Sequence, residues 1–334
     1  MTSRSCVIVT ALGITLLTGC LGGSSTTATV APPASITLGN GETYQTASLT
    51  GAGTAANPFR MPTEAPGGMT ADMSDYFTAD ASAYKWEVAI RGVAASYSTQ
   101  FSSLVYDPAT DSFTVDVTYA GTTTSHTLLN PDGDQYYDDC GGAYCWSLSK
   151  FVEIGVFDAA TASPTGRDYG TFASLYFRDD TIPKRAFHYA HTGLATPTTA
   201  LPAGSATYTG VLQGSTALSG ATYELLDNAS TVLADFGAGT IGLSAGGTVL
   251  VDDGSGTPIP GTTFVVTGTA TISGNTFSGT SAIDVTDSLG TVSLAGGAGT
   301  LDGGFYGPAA EQLAGSLHVS GTDYLLAGFW GERP

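Results

Sequence analysis

From about residue 80 onward, apolar positions recur at every second residue, the period of a strand with one covered face. KWEVAIRGV, Lys85 to Val93, alternates in this way and predicts a strand. SLVYDPATDSFTVDVTYAG reads as two strands around a turn from Asp107 to Asp111. CWSLSKFVEIGVF, TFASLYFRD and RAFHYAHTG continue the pattern. The stretch from Asn57 to Ala83 lacks it and predicts loops or one short helix. TGLATPTTALPAG, residues 192 to 204, has two prolines among small residues and marks a domain junction.

Beyond the junction the alternation is more regular. In TTFVVTGTATI, Phe264, Val266, Gly268, Ala270 and Ile272 share one face, and Val265, Thr267, Thr269 and Thr271 share the other. Ser273-Gly274-Asn275 signals a tight turn, after which Phe277, Gly279, Ile283 and Val285 resume the apolar face. With SATYTGVL, ATYELLD, TVLADFG, TIGLSA, GTVSLAGGAGT, GSLHVS and YLLAGFW, about eight or nine strands follow one another without covering helices. Closure into a small barrel removes the exposed edges of such a sheet, and a sandwich is the other solution.

Charged residues are only 12% of the 334, whereas Gly numbers 45 and aromatics reach 10%, which suits an exported, turn-rich β protein. Net charge is −19, and no Lys or Arg occurs from Ala186 through Glu332. Such a surface repels phosphate backbones, so nucleic acid is excluded as a partner. Enzyme signatures are poor: there is no P-loop or H-E-x-x-H, the G-x-S-x-G string Gly242-Leu243-Ser244-Ala245-Gly246 and the G-x-G-x-x-G string Gly237 to Gly242 fall among strand phrases without a following helix, and the expectation is a protein without catalysis.

Residues 1–19 read as a secretory signal peptide, with Arg4 followed by an apolar run too short to span a bilayer. Leu17-Thr18-Gly19-Cys20 resembles the bacterial lipobox, which makes Cys20 the lipid-modified N-terminus, palmitate among its acyl chains. Residues 20–35, rich in Gly, Ser, Thr and Pro, form a tether reaching about 20 Å. Leu21, rather than Asp, after the cysteine favours the outer membrane by resemblance to enterobacterial lipoproteins. Residues 36–192 and 193–334 are then two domains.

The run GGFYGPAAEQLAGSL resembles the signature of the C-terminal barrel in the transferrin-binding protein B family of bacterial surface lipoproteins. Matching positions are Gly303, Gly304, Phe305, Tyr306, Gly307, Pro308, Ala310, Glu311, Leu313, Ala314 and Gly315. Pro202, Gly204, Ala206, Tyr208 and Gly210 resemble the family's barrel-opening strand. Asp235 with Phe236, and Gly274, Asn275 and Phe277, resemble internal strands in the same order. The resemblance covers residues 202 to 330. It implies an all-β chain, an N-terminal β handle followed by an eight-stranded antiparallel barrel, that binds an extracellular protein or solute and presents it to an outer-membrane transporter. The chain has length for one lobe, and among single-lobe relatives ligands range from host proteins to haem carriers, so transferrin itself does not follow. A structural or shielding role without a dedicated ligand, and a haem or small-molecule carrier, are the alternatives. Within the signature, Gly303 and Gly304 allow positive φ or close backbone approach, Phe305 and Tyr306 plug the barrel end, and Pro308 starts a short helical turn through Leu313.

Four further sets of residues carry candidate chemistry. Cys140 and Cys145 in CGGAYC pair most simply as a disulfide closing a six-residue loop, worth roughly 2 kcal/mol. Zinc, with His188 and His191 as helpers, is the rival, although i and i+3 on a strand face opposite ways. Asn130, Asp132, Asp134 and Asp138 supply oxygen at a spacing that can wrap Ca²⁺ without the EF-hand pattern, and a solvated acidic turn is the plainer reading. Tyr136, Tyr137, Tyr144 and Trp146 surround the same loop as candidate ligand contacts. Tyr189 and His191 are of a type that ligates haem iron.

Overall fold

The computed structural model describes residues 35–37, 43–45, 51–52, 54, 86–87, 91–95, 100–107, 109–110, 112–119, 121–129, 135–138, 150–167, 169–179, 184–218, 221–251, 257–287, 290–294, 299–319 and 324–334. Strands β1 (Ser35–Thr37) and β2 (Thr43–Gln45) pair with each other. The predicted loops or helix between Asn57 and Ala83 lie outside the described residues, as do the signal peptide, Cys20 and most of the tether.

The handle is a nine-stranded antiparallel sheet. Its strands are β3 (Trp86–Glu87), β4 (Arg91–Ala95), β5 (Gln100–Asp107), β6 (Ser112–Tyr119), β7 (Thr122–Leu129), β8 (Gln135–Asp138), β9 (Lys150–Val156), β10 (Gly170–Asp179) and β11 (Lys184–Gly193). Their spatial order is β3-β5-β6-β7-β8-β9-β10-β11-β4. KWEVAIRGV is therefore not one strand: its two ends lie on opposite edges of the sheet. Glu87 and Arg91 are four peptide steps apart, about 15 Å at most, so the edges are held close and the sheet curls. Leu104, Tyr106, Phe113, Val115, Val117, Leu128, Val152 and Ile154 are buried within it. A single-turn helix, α1 (Ala159–Ala162), follows β9, capped by Asp158, whose carboxylate accepts from the Thr161 amide at 2.8 Å.

The second sheet closes on itself. Strands β12 (Ser205–Leu218), β13 (Ala221–Asp235), β14 (Thr240–Val251), β15 (Pro258–Ser273), β16 (Thr276–Asp287), β17 (Gly290–Leu294), β18 (Thr300–Tyr306), β19 (Gln312–Val319) and β20 (Tyr324–Glu332) run in the order β15-β14-β13-β12-β20-β19-β18-β16-β17, and β15 also pairs β16. The eight strands other than β17 form a closed antiparallel barrel. ATYELLD and TVLADFG, two phrases in sequence, are one strand, β13, whose pairing with β14 shifts register between Glu224 and Ser230. GTVSLAGGAGT divides instead between β17 and β18. The β15–β16 hairpin has the expected faces: Phe264, Val266 and Ala270 are buried, and Thr267, Thr269 and Thr271 are exposed. Gly274 at φ +59 takes the first turn position, where a two-residue II′ hairpin needs positive φ.

The barrel interior is filled by side chains. Tyr208, Phe264, Phe277, Phe305 and Phe329 are buried in one cluster with Leu212, Val232, Leu301 and Leu313. Phe305 lies 4.9 Å from Phe236, 5.4 Å from Phe277 and 6.0 Å from Tyr208, centroid to centroid, with tilted rings.

Candidate functional site

The signature run is itself a strand. Along β18, Leu301, Gly303 and Phe305 face the barrel interior, and strand alternation turns Gly304 and Tyr306 outward to the handle. Neither Gly303 nor Gly304 has positive φ; a Cβ on Gly303 would lie 2.1 Å from the Phe277 ring, so close approach is the reason for glycine there. The expectation that both aromatics plug the barrel is corrected: Phe305 does, and Tyr306 fills the joint between the two sheets. The expected helical turn through Leu313 is absent too. Gly307 to Ala310 form a turn and β19 begins at Gln312, because Gly307 at φ +90 and Ala310 at φ +60 reverse the chain. A six-residue helix has no intrinsic stability with which to resist. Ala310 is fully buried, and its carbonyl accepts from Tyr208 Oη at 2.8 Å and from Arg333 Nε at 2.9 Å.

Tyr306 sits in a slot made by glycine. Gly170 and Gly193 oppose each other on the last rung of β10–β11, and a Cβ on either would lie 2.3 Å and 2.6 Å, respectively, from the Tyr306 ring. Its hydroxyl hydrogen-bonds His191 Nδ1 at 2.5 Å. The stretch that reads as a domain junction runs antiparallel to this strand end. The Thr196 amide donates to Phe305 O at 2.9 Å, Gly307 N donates to Leu194 O at 2.8 Å, and Ala195 bridges Tyr306. Leu194, Ala195 and Thr196 are all buried.

Polar groups clamp the same joint. Gln312, fully buried, accepts through Oε1 from the amides of Tyr169 (2.7 Å) and Gly170 (3.1 Å) and donates through Nε2 to Arg167 O (2.8 Å). Glu332 accepts from the hydroxyls of Ser163 and Thr165 and lies 3.8 Å from the Arg167 guanidinium. Around these, Phe172, Tyr189, Leu326 and Trp330 form one apolar cluster, with Phe157 stacked on Phe172 at 4.8 Å. Handle and barrel therefore meet through a buried, hydrogen-bonded joint, and no sequence pattern named Gly170, Gly193, Gln312 or Glu332. Only the near-continuous apolar and small residues of β19 and β20 signalled burial on both faces.

Tyr189 and His191, the candidate haem ligands, are built into this joint. Tyr189 packs against Phe172 and Phe187, and burial, with Glu224 adding to it, holds its phenol well above the usual range. His188 points to the other face, in register with Leu175 and Ala95. The candidate loop is only partly described. Tyr136, Tyr137 and Asp138 lie in β8, with Tyr136 in register with Ile154, Tyr137 with Leu129 and Glu153, and Asp138 with Leu128. Asn130, Asp132, Asp134, Cys140, Tyr144, Cys145 and Trp146 lie outside the described residues. Among the described residues no three of His, Cys, Asp and Glu come together to hold a metal ion. An open groove of about 590 Å³ crosses the outer barrel wall, between Leu233, Gly242, Thr269 and Thr280.

His188 gives the protein an acid limit. Burial pushes its imidazole down to about 4, from an ordinary 6.5. Between these values the unfolded chain binds a proton that the folded chain does not, so this contribution is complete above about 6.5 and is lost as pH falls towards 4, about 3 kcal/mol in all. His318, also lowered by burial, acts in the same sense; Glu153 and Asp302, raised by burial, act in the opposite sense. Urea unfolding at pH 7 and 4.5 is expected to show a larger loss for the wild type than for His188→Gln. Equal losses would remove His188 as the cause.

Residues 201–333 match the family model described as the C-lobe and N-lobe β-barrels of Tf-binding protein B. Among solved structures, a transferrin-binding protein B double mutant from Haemophilus parasuis is 17% identical, with 73% of this chain and 45% of that chain covered and a TM-score of 0.43. Isotype 1 transferrin-binding protein B from Neisseria meningitidis is 18% identical, covers 73% and 43%, and scores 0.41. The N-lobe of lactoferrin-binding protein B from Moraxella bovis is 17% identical, covers 54% and 79%, and scores 0.32. The chain spans about half the length of the first two. No curated protein matches significantly. Residues 201–333 thus match the barrel-domain family of transferrin-binding protein B.

Proposed function

We propose that this chain is a lipid-anchored outer-membrane protein, acylated at Cys20, that captures an extracellular protein or solute for nutrient or iron acquisition and presents it to an outer-membrane transporter. The observation that carries this reading is the family barrel at residues 201–333, whose described members belong to a binding protein. The lipobox-like end of the leader and the tether of residues 20–35 support it from the other end of the chain. The joint adds a physical reason: a capture surface loses less entropy on binding when it is rigid beforehand. A packed barrel interior favours recognition on the outside of the protein over carriage within it.

Two measurements test the reading. Wild-type chain expressed with labelled palmitate is expected to incorporate label, and Cys20→Ser to incorporate none; label retained by Cys20→Ser would remove the anchor. The soluble Cys20→Ser chain, used as bait in fluid from the organism's surroundings, is expected to retain one stoichiometric partner. That partner should be lost on alanine replacement of Tyr136 and Tyr137. Retention of nothing over a barrel-only control would contradict capture.

A further inference from the structure

The joint occupies one side of the barrel, through Tyr306 of β18, Ala314 of β19, and Leu326 and Trp330 of β20. In the closed order β12-β13-β14-β15-β16-β18-β19-β20, strands β14 and β15 lie across the barrel from β19 and β20. Their residues Ile241, Leu243, Phe264 and Val266 fill the interior, so the alternate residues form an outer wall facing away from the handle. Two rungs make its centre. Leu233, Gly242, Thr269 and Thr280 are in register on one, and Thr231, Ser244, Thr267 and Ala282 on the other. Neither rung carries a charge. The acids stand at the margins, Asp235 on the rung before and Asp284 on the rung after. Among the described residues three large apolar side chains are exposed, and two of them are on this wall: Leu233 at 51% and Val265 at 48%, with Leu129 at 44% on the handle. The open groove of about 590 Å³ runs between Leu233, Gly242, Thr269 and Thr280, and a Cβ on Gly242 would meet nothing within 4 Å. Val265 stands about 13 Å from Thr269 along β15. The wall thus presents a knob and a hole on one face.

A solvated sheet face ordinarily mixes Lys, Arg, Glu and Asp, whereas a neutral centre inside a charged margin is the composition of a protein interface. We propose that this wall is the contact between two copies of the chain, with the Val265 side chain of each seated in the groove of the other. A two-fold contact must be self-complementary, and a knob and a hole on the same face meet that condition. The hydroxyls of Thr231, Ser244, Thr267, Thr269 and Thr280 meet it as well, because each can donate and accept, whereas an acidic or a basic face cannot pair with itself. At −19 per chain, two copies approach each other most readily where charge is lacking. Four strands about 4.8 Å apart, spanned from Thr263 to Thr271 along β15, make a face of about 19 Å by about 27 Å. Two such faces total about 1,000 Å², the lower bound of a specific interface, which fits a reversible dimer rather than an obligate one. Both handles then point away from the contact, and one dimer carries two capture surfaces. The inference stands whether or not Cys20 is acylated.

The test is sedimentation equilibrium of the full chain carrying Cys20→Ser, across micromolar protein concentrations. The mass is expected to rise with concentration to twice that of the monomer, and added salt to strengthen association, because it screens the repulsion between two acidic copies. Val265→Glu and Thr269→Glu place like charges across the contact and should each weaken the dimer at least about a hundred-fold. Both positions are exposed in the single chain, so the urea midpoint of the dilute monomer should not move. Leu129→Glu, at the exposed apolar residue of the handle, should leave the dimer intact. A chain that stays monomeric at every concentration overturns the inference, as does a dimer indifferent to both wall variants or one that salt dissociates. A monomer that captures a different protein in pull-down and loses it on Val265→Glu assigns the wall to that partner and likewise overturns it.

Discussion

Tyr306→Ala is expected to separate the unfolding of the handle from that of the barrel. The wild-type ring occupies the slot between Gly170 and Gly193, where no other side chain can follow it, and its hydroxyl meets His191. Truncation leaves a void between two sheets that have no Cβ on that rung to collapse into it. Large-to-small replacements of buried aromatics cost about 3–5 kcal/mol, and the upper part of that range fits a site unable to close. Tyr306→Phe keeps the ring and loses the hydroxyl contact, for about 1–2 kcal/mol. Calorimetry should show a single transition for wild type and Tyr306→Phe, and two for Tyr306→Ala. One transition for Tyr306→Ala, shifted no further than for Tyr306→Phe, would mean that the joint does not depend on this ring.

Phe305→Ala, one residue away, is expected to act differently because it faces the other way. Its ring is the meeting point of Tyr208, Phe236 and Phe277 inside the barrel, so its loss costs about 3–5 kcal/mol through a core cavity. The Phe305 carbonyl still accepts from Thr196, so the joint's hydrogen bonds persist and unfolding stays a single transition at lower temperature. A loss below about 1 kcal/mol would mean that the barrel closes over the gap and that the interior is packed less tightly than these ring distances state. The two variants together divide the signature into a barrel function and a joint function.

Much of this was legible in the residues themselves. The β15–β16 hairpin was, since one face is covered and the other wet, and two-residue alternation reports that arrangement directly. KWEVAIRGV was not, because the same period describes each half of a segment and carries no record of where the chain changes partners. Phe305 and Tyr306 face opposite ways, as successive strand residues do, and the glycines and helix-forming residues around them obscure that alternation in the sequence. AAEQL reads as helix by propensity, and a five-residue propensity yields to a turn fixed by Gly307 and Ala310. Gln312 and Glu332 had no local signal at all. A polar residue in a strand reads as solvent-facing until a second sheet supplies Tyr169, Gly170, Ser163 and Thr165 as its partners. Of the candidate recognition residues, β8 carries Tyr136, Tyr137 and Asp138, and the sequence alone speaks for the others.

The central claim is that the signature strand and the linker beside it make handle and barrel one folding unit. Native-state hydrogen exchange of the Leu194, Thr196 and Gly307 amides tests this most directly, because their acceptors are Tyr169 O, Phe305 O and Leu194 O across the joint. The account predicts that these amides exchange only through global unfolding, with the same free energy and denaturant dependence as barrel-core amides such as those of β19 and β20. Exchange through a local opening several kcal/mol below the barrel core, insensitive to denaturant, would contradict it.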